Sequence, residues 1–336
     1  MYKKIILLSL ISLVLFSSNV VVAQNKTDKQ GRKQGEWIKK NKQGKIIQKG
    51  TYKDDYPIDT FYYYDKNGKL EIKNFFSDKG TKTNSKFFYP NGKIKAEGNY
   101  LNKKKEGTWV YYNPKGIKIT EENYKQGLKE GIEKNWDNDG KNIIQTTNYK
   151  NGKKNGSYYQ SLYGEGSYTV SYTDDVLDGK YVEYYSPKGI KIKGLYQKGL
   201  KQDVWQVFTR AGNLCQKLFY KNDTLTSDVI IFSVEDNLME IPSKEIAVFM
   251  SKGKQSELIM MDGKHIEVMN PIEYIVPLTD ENVFVCLNQK TNIYVNTNIL
   301  VGINANGTPK LNRDIDININ PDKDGKEFLN TLFRND

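Results

Sequence analysis

A period of 24 residues constrains this chain more than any other feature. The stretch Gly107-Thr108-Trp109-Val110-Tyr111-Tyr112-Asn113-Pro114-Lys115-Gly116, with Tyr124 eight residues further on, recurs in variant form along more than half of the 336 residues. With Gly107 as first position, the equivalent residues are Gly35, Asp59, Thr83, Gly107, Gly131, Gly156, Gly179 and Asp203, separated by 24, 24, 24, 24, 25, 23 and 24 residues. A constant period of this length means one supersecondary unit used repeatedly, with stability summed over units and the interfaces between them.

Each unit reads as a β-hairpin. Its first turn carries Gly, Asn or Asp where positive φ is needed, as in Asp65-Lys66-Asn67-Gly68, Pro90-Asn91-Gly92, Asn113-Pro114-Lys115-Gly116 and Asp137-Asn138-Asp139-Gly140. Apolar or small residues alternate along the second segment, as in Ile94, Ala96, Gly98 and Tyr100, which gives one apolar and one solvated face. Second turns such as Lys125-Gln126-Gly127 are also hairpin-compatible. The expected fold is therefore mainly β, an elongated single-layer antiparallel meander of hairpins followed by a small α+β domain. The aromatics at the third position (Trp37, Phe61, Trp109, Tyr181, Trp205) and at the eighteenth (Tyr52, Phe76, Tyr100, Tyr124, Tyr196, Tyr220) are expected to stack as cross-strand ladders, with lysines on the solvent side. Two units break the pattern. The third has Ser85 in place of the aromatic, and the sixth loses the turn-glycine register around Ser161 to Ser167.

The motif Gly-x-Trp-x-x-Tyr-x-x-x-Gly with a following Tyr-x-x-Gly resembles the MORN repeat in the variant form common in bacterial proteins, over residues 35 to about 222. The matching residues are Gly35, Trp37 and Gly44; Gly107, Trp109, Tyr112 and Gly116; Gly131, Trp136 and Gly140; and Gly179, Tyr181, Tyr184 and Gly189. The resemblance implies a β-sheet scaffold for protein or lipid contact and no catalytic role. Some members of that family are described as antitoxin-like, a function at odds with an export signal. The candidate surface residues are Trp37, Phe61, Trp109, Tyr112, Trp136, Tyr181, Tyr184 and Trp205. The repeat glycines are Gly35, Gly44, Gly68, Gly92, Gly107, Gly116, Gly131, Gly140, Gly179 and Gly189.

Residues 1–23 read as a secretory signal peptide: Lys3 and Lys4, an apolar run from Ile5 to Phe16, and the small-residue ending Val21-Val22-Ala23. An uncleaved membrane anchor is the alternative. The remainder is expected outside the cytoplasm, in the periplasm, at the cell surface or secreted. Residues 24–34 form a linker, 35–226 the repeats and 227–336 the C-terminal domain. Charge divides along the same line, with +16 over residues 25–227 and −7 from Asp228 to the end. A basic field of that size favours an anionic partner, either a protein or an envelope lipid or glycan, while the compartment argues against nucleic acid. Cys215 and Cys286 fall on either side of the boundary, and two thiols or a disulfide are both open to them.

The C-terminal stretch carries apolar strands at Val229 to Val234, Ile246 to Met250, Leu258 to Met261, Val283 to Leu287, Ile293 to Val295 and Ile299 to Ile303. Hairpin signals lie at Asp262-Gly263 and Asn306-Gly307, and an alternating strand at Ile315 to Ile319. Helices are expected at Pro271 to Leu278 and Lys323 to Phe333. The order of elements, with Ile241-Pro242, Asp262-Gly263-Lys264, Tyr294-Val295-Asn296 and Phe328-Leu329, loosely resembles the LytTR-type DNA-binding domain, which makes a membrane-anchored regulator a rival reading. The basic residues that precede Val-Asn in that family are here Asn288, Gln289, Lys290, Thr291 and Asn292.

No catalytic, cofactor or metal constellation is expected. His265 is the only histidine, so no histidine pair exists for a metal. Asn320 to Gly325 imitates the start of a calcium loop, but its twelfth position is Thr331 where the loop needs a bidentate Glu. Adjacent carboxylates such as Glu121 and Glu122, or Asp174 and Asp175, are expected to point to opposite faces of a strand.

Overall fold

The computed structural model describes residues 25–278, 283–312, 315, 317 and 319–333. The signal segment expected at the N-terminus lies outside them. The protein is mainly β, and it divides into two compact units, Met1–Leu128 and Lys129–Asp336.

In the first unit the strands are β1 (Lys26–Thr27), β2 (Lys33–Lys40), β3 (Ile46–Lys53), β4 (Tyr56–Tyr64), β5 (Leu70–Ser77), β6 (Lys82–Phe88), β7 (Ile94–Leu101), β8 (Lys104–Tyr112) and β9 (Lys118–Lys125). From β2 onward each pairs antiparallel with the next, the meander that the 24-residue period predicts. The first turns close on glycine, as where the Gly116 amide donates to the Asn113 carbonyl at 2.8 Å. The second turns put both central residues at positive φ, for example Asn102 at 51° and Lys103 at 64°. That is the backbone of the two-residue turns whose twist matches paired strands.

First-position residues sit in a bulge rather than in regular strand. Gly107 has φ 67° and Asp59 φ 59°, and the β7–β8 register shifts between Glu97 and Asn99. Glycine suffers no steric penalty there, and aspartate is among the few side chains that tolerate it. The third repeat has Thr83 at this position, and β5 pairs with β6 without a register shift. The expected irregularity thus takes the form of a missing bulge.

In the second unit, after the two-residue β10 (Leu128–Lys129) at the division, the meander runs through β11 (Gly131–Trp136), β12 (Ile143–Lys150), β13 (Lys153–Ser161), β14 (Gly166–Thr173), β15 (Val176–Tyr185), β16 (Ile190–Gln197), β17 (Leu200–Phe208), β18 (Leu214–Lys221), β19 (Thr224–Val234) and β20 (Asn237–Pro242). Across the sixth-repeat turn, β13 and β14 pair without the shift seen at the other first turns of this unit.

A five-stranded sheet follows, in the order β23 (His265–Val268), β22 (Gln255–Met260), β21 (Ile246–Lys252), β25 (Ile293–Asn296) and β24 (Phe284–Asn288). Both its faces are covered. Phe249 and Leu258 join Ile230, Phe232 and Ile241 of the β19–β20 hairpin, with Ile272 and Ile275 of the short helix α1 (Ile272–Ile275). Val248 and Ile259 face the other core, with Leu287, Val295 and Leu329, the last from α2 (Lys323–Phe333). Burial on both faces explains why residues 246–249 are apolar without alternation. A small hairpin, β26 (Leu300–Ile303) with β27 (Pro309–Leu311), completes the unit. Ile315, Ile317 and Ile319 lie outside any strand, and Asp316 and Asn318 fall outside the described residues.

Candidate binding surface

The aromatic rows form as the repeat spacing requires, but they go into the fold. In the first unit Trp37–Tyr52, Tyr52–Phe61 and Phe61–Phe76 meet edge-to-face with ring centroids 6.0, 5.1 and 5.2 Å apart. Tyr100 and Trp109 do the same at 4.9 Å. In the second unit Tyr181–Tyr196, Tyr196–Trp205 and Trp205–Tyr220 continue the pattern at 6.0, 5.2 and 5.9 Å. Such pairs contribute about 0.5–1.5 kcal/mol each beyond the area they bury. Phe61, Trp109 and Trp205 are only 1–2% exposed, each pressed against a glycine of the preceding strand: Gly50, Gly98 and Gly194. Where that glycine is replaced, its pair changes size. Asn74 faces Ser85, and Val170 faces Tyr181.

The lysines do not all line the solvent side, which corrects the expectation from alternation. Those two places before the repeat's first residue stand over rings on the aromatic face. Lys33 Nζ lies 5.0 and 4.8 Å from the ring centres of Trp37 and Tyr52, and Lys105 4.6 and 4.5 Å from those of Trp109 and Tyr124. Lys154 covers Tyr158 and Tyr172, and Lys201 covers Trp205 and Tyr220. An ammonium on a long aliphatic stem can cover a ring and keep partial hydration, which makes this a favourable place for it. A Lys-x-Gly or Lys-x-Asp spacing marks all of these positions in the sequence.

Tyr112, Trp136 and Tyr184 occupy the sixth position, separate from the third-position row. Tyr112 Oη donates to Glu97 Oε1 at 2.7 Å on the face away from Trp109. That bond holds the Glu97 carboxyl below its usual range, while burial and the carboxylate push the Tyr112 hydroxyl up to about 12. Trp136 pairs with Ile143. Tyr184 borders a 520 Å³ depression with Tyr159 and its cross-strand partner Ser167. The repeat glycines are turn and bulge residues: Gly44, Gly68, Gly92, Gly116, Gly140 and Gly189 have φ between 73° and 104°, and Gly35, Gly131 and Gly179 have 70°, 85° and 114°.

The exposed charge is concentrated at turns. Lys39, Lys40, Lys42 and Lys45 are exposed around the first turn, and Lys103, Lys104, Lys150 and Lys153 flank later ones. Some strand lysines are paired, Lys86 with Glu97 at 3.0 Å and Lys191 with Glu183 at 2.8 Å.

Other singled-out residues have structural roles. His265 Nδ1 lies 2.9 Å from Glu257 on an exposed strand. Asp322 caps α2, accepting from the Gly325 amide at 3.0 Å and from Gln289 at 2.7 Å. Asn296 is buried and donates to the Ile246 carbonyl at 3.1 Å. Cys215 and Cys286 are free thiols, and burial pushes Cys215 up to about 11. Glu121 bonds Lys118 and Glu122 faces Lys105, on opposite faces as expected. Asp174 and Asp175 instead form a turn, at φ 48° and 71°, with Asp175 accepting from the Lys154 amide at 2.8 Å. Among the described residues no cluster of three or more metal-ligating side chains occurs. No described helix is long and apolar enough to cross a membrane.

Fold and surface together define a class, that of repeat proteins built from consecutive antiparallel hairpins. The family model described as the MORN repeat variant matches residues 84–102, the hairpin formed by β6 and β7. Residues 84–102 are thus similar to the MORN repeat variant, in keeping with the resemblance seen in the sequence. No curated protein matches it. The comparisons give no support to the LytTR likeness of residues 228–336.

Proposed function

We propose that this protein is a non-catalytic binding or scaffolding protein whose repeats present a basic surface to an anionic partner, a protein or a component of the cell envelope. The observation that carries the reading is the charge distribution. Residues 25–227 hold +16, and exposed lysines gather at the hairpin turns instead of being spread evenly. The aromatic rows are consumed by packing, so the turns and the solvent face remain for recognition. Exposed ammonium groups act through a screened field, which steers anionic partners and weakens with salt over a Debye length of about 10 Å at 0.1 M.

We further propose that the chain acts outside the cytoplasm, on the strength of the signal-like residues 1–23. A reporter fused to the C-terminus tests this, and a cytoplasmic signal from the fusion would refute it. For the binding reading, the full chain is titrated against anionic vesicles, an acidic polysaccharide and an acidic protein at low and high salt. Saturable binding to one of the three that weakens with salt is expected. Binding to none of them would refute the reading.

A further inference from the structure

The pattern break at the third repeat opens a different kind of surface. Phe75 occupies the seventeenth position, where neighbouring units have Thr51, Asn99 and Asn123. Its ring is 49% exposed on the face opposite the aromatic rows. Its equivalents in the seventh and eighth repeats, Leu195 and Phe219, are half-buried, so Phe75 differs from them in its exposure. The missing bulge keeps β5 and β6 in straight register, so Phe75 pairs with Asn84, Asn84 with Asn99, and Asn99 with Glu106. The four side chains form one row across four strands, about 14 Å long at about 4.8 Å per strand.

The row has directional chemistry. Asn84 Nδ2 donates to Asn99 Oδ1 at 2.9 Å, which leaves the Asn84 oxygen and the Asn99 amine side by side as an acceptor and a donor. One Glu106 oxygen accepts from the Gln126 amide at 2.7 Å, and the other can accept from a ligand. These groups line a 270 Å³ pocket together with Thr83 and Tyr100. An apolar ring face beside paired carboxamides and a carboxylate suits a ligand with an apolar C–H face and vicinal hydroxyl groups.

Local charge narrows the ligand further. Two nearby cations are paired, Lys82 with Asp78 at 2.7 Å and Lys86 with Glu97 at 3.0 Å, while Glu106 adds a negative charge to the row. The row itself holds one carboxylate and no cation, so it disfavours an acidic ligand. A polyproline peptide would need several rings, and the row offers only Phe75.

We propose that Phe75, Asn84, Asn99 and Glu106 bind a short neutral, unbranched glycan segment of about two or three pyranose units lying across the strands, whose rings would repeat at close to the strand spacing. The site itself uses none of the turn lysines, although Lys103 and Lys104 border it. The test is calorimetric titration of the full chain with two neutral sugars, cellotriose and N,N′,N″-triacetylchitotriose. Saturable binding with Kd on the order of 1 mM or tighter is expected for at least one of them. Phe75→Ala is expected to weaken it about tenfold, the equivalent of about 1.4 kcal/mol, and Asn84→Ala several-fold. Phe75 is exposed, so an unchanged unfolding midpoint in Phe75→Ala separates lost binding from lost folding. Affinity is expected to be unchanged at high salt, in contrast to binding through the basic turns. Lack of saturation by either sugar, an unaffected Phe75→Ala, salt-sensitive sugar binding, or competition by a decaproline peptide would each overturn the assignment.

Discussion

The indole of Trp109 lies so close to the backbone of Gly98 that a Cβ built on the glycine would fall 2.3 Å from Trp109 Cδ2. Gly98 has ordinary extended φ, so glycine is needed there for space alone. Gly98→Ala is therefore expected to destabilise by about 1–3 kcal/mol through overpacking. Trp109→Leu added to it should relieve the clash, so that the double variant costs less than the sum of the singles. Urea unfolding of the three variants checks this, and strict additivity would contradict it.

Lys105 stands over Trp109, Tyr111 and Tyr124 and also faces Glu122 at 3.6 Å. Lys103, two residues earlier, is exposed. Replacing Lys105 by Gln should cost about 1–2 kcal/mol, from cation–π loss at a half-covered site and the carboxylate left behind. Lys103→Gln should change stability by less than about 0.5 kcal/mol. Equal midpoints for the two variants would refute the ammonium clip.

Ser85 and Asn74 sit opposite each other where the third repeat interrupts the aromatic row. Ser85 Oγ and Asn74 Oδ1 are buried without a hydrogen-bond partner. Removing a buried unsatisfied hydroxyl gains back its desolvation cost, so Ser85→Ala is expected to stabilise by up to about 1 kcal/mol. Thermal unfolding reads this directly, and a lower midpoint would count against it.

Tyr112 gives the pH prediction. Its hydroxyl is raised from 10 to about 12 in the folded state, so the stabilisation is complete below 10 and is lost as pH rises through about 12. The Glu97 carboxyl is lowered, so its contribution holds above the usual carboxylate range and is lost as pH falls through its folded value. Subtracting the tyrosinate absorbance titration of Tyr112→Phe from that of the unaltered chain should leave one ionisation near 12. An ionisation near 10 would contradict the bond to Glu97.

The hairpins and their aromatic rows were legible because period, turn glycines and alternating residues all point to one geometry, as at Gly116, Trp109 and Tyr124. The ammonium clips were hidden because alternation assigns every lysine to solvent, and only the placement of Lys33 or Lys105 over two rings shows otherwise. Strand β20 was missed because its turn, Glu235-Asp236, has no Gly or Asn and Asn237 to Glu240 are exposed. The row from Phe75 to Glu106 could not be read because it depends on the missing bulge at Thr83. The C-terminal strands were visible as apolar runs, but their order in the sheet was not.

Recognition by exposed lysines at the turns is open to a direct test. The decisive measurement is affinity capture of envelope components by the full chain and by a variant with Lys39, Lys40, Lys42 and Lys45 all replaced by Glu, at low and at high salt. One anionic component is expected to be held by the unaltered chain at low salt, released at high salt and absent with the variant. Recovery of the same material in equal amounts by both proteins, whatever the salt, would contradict it.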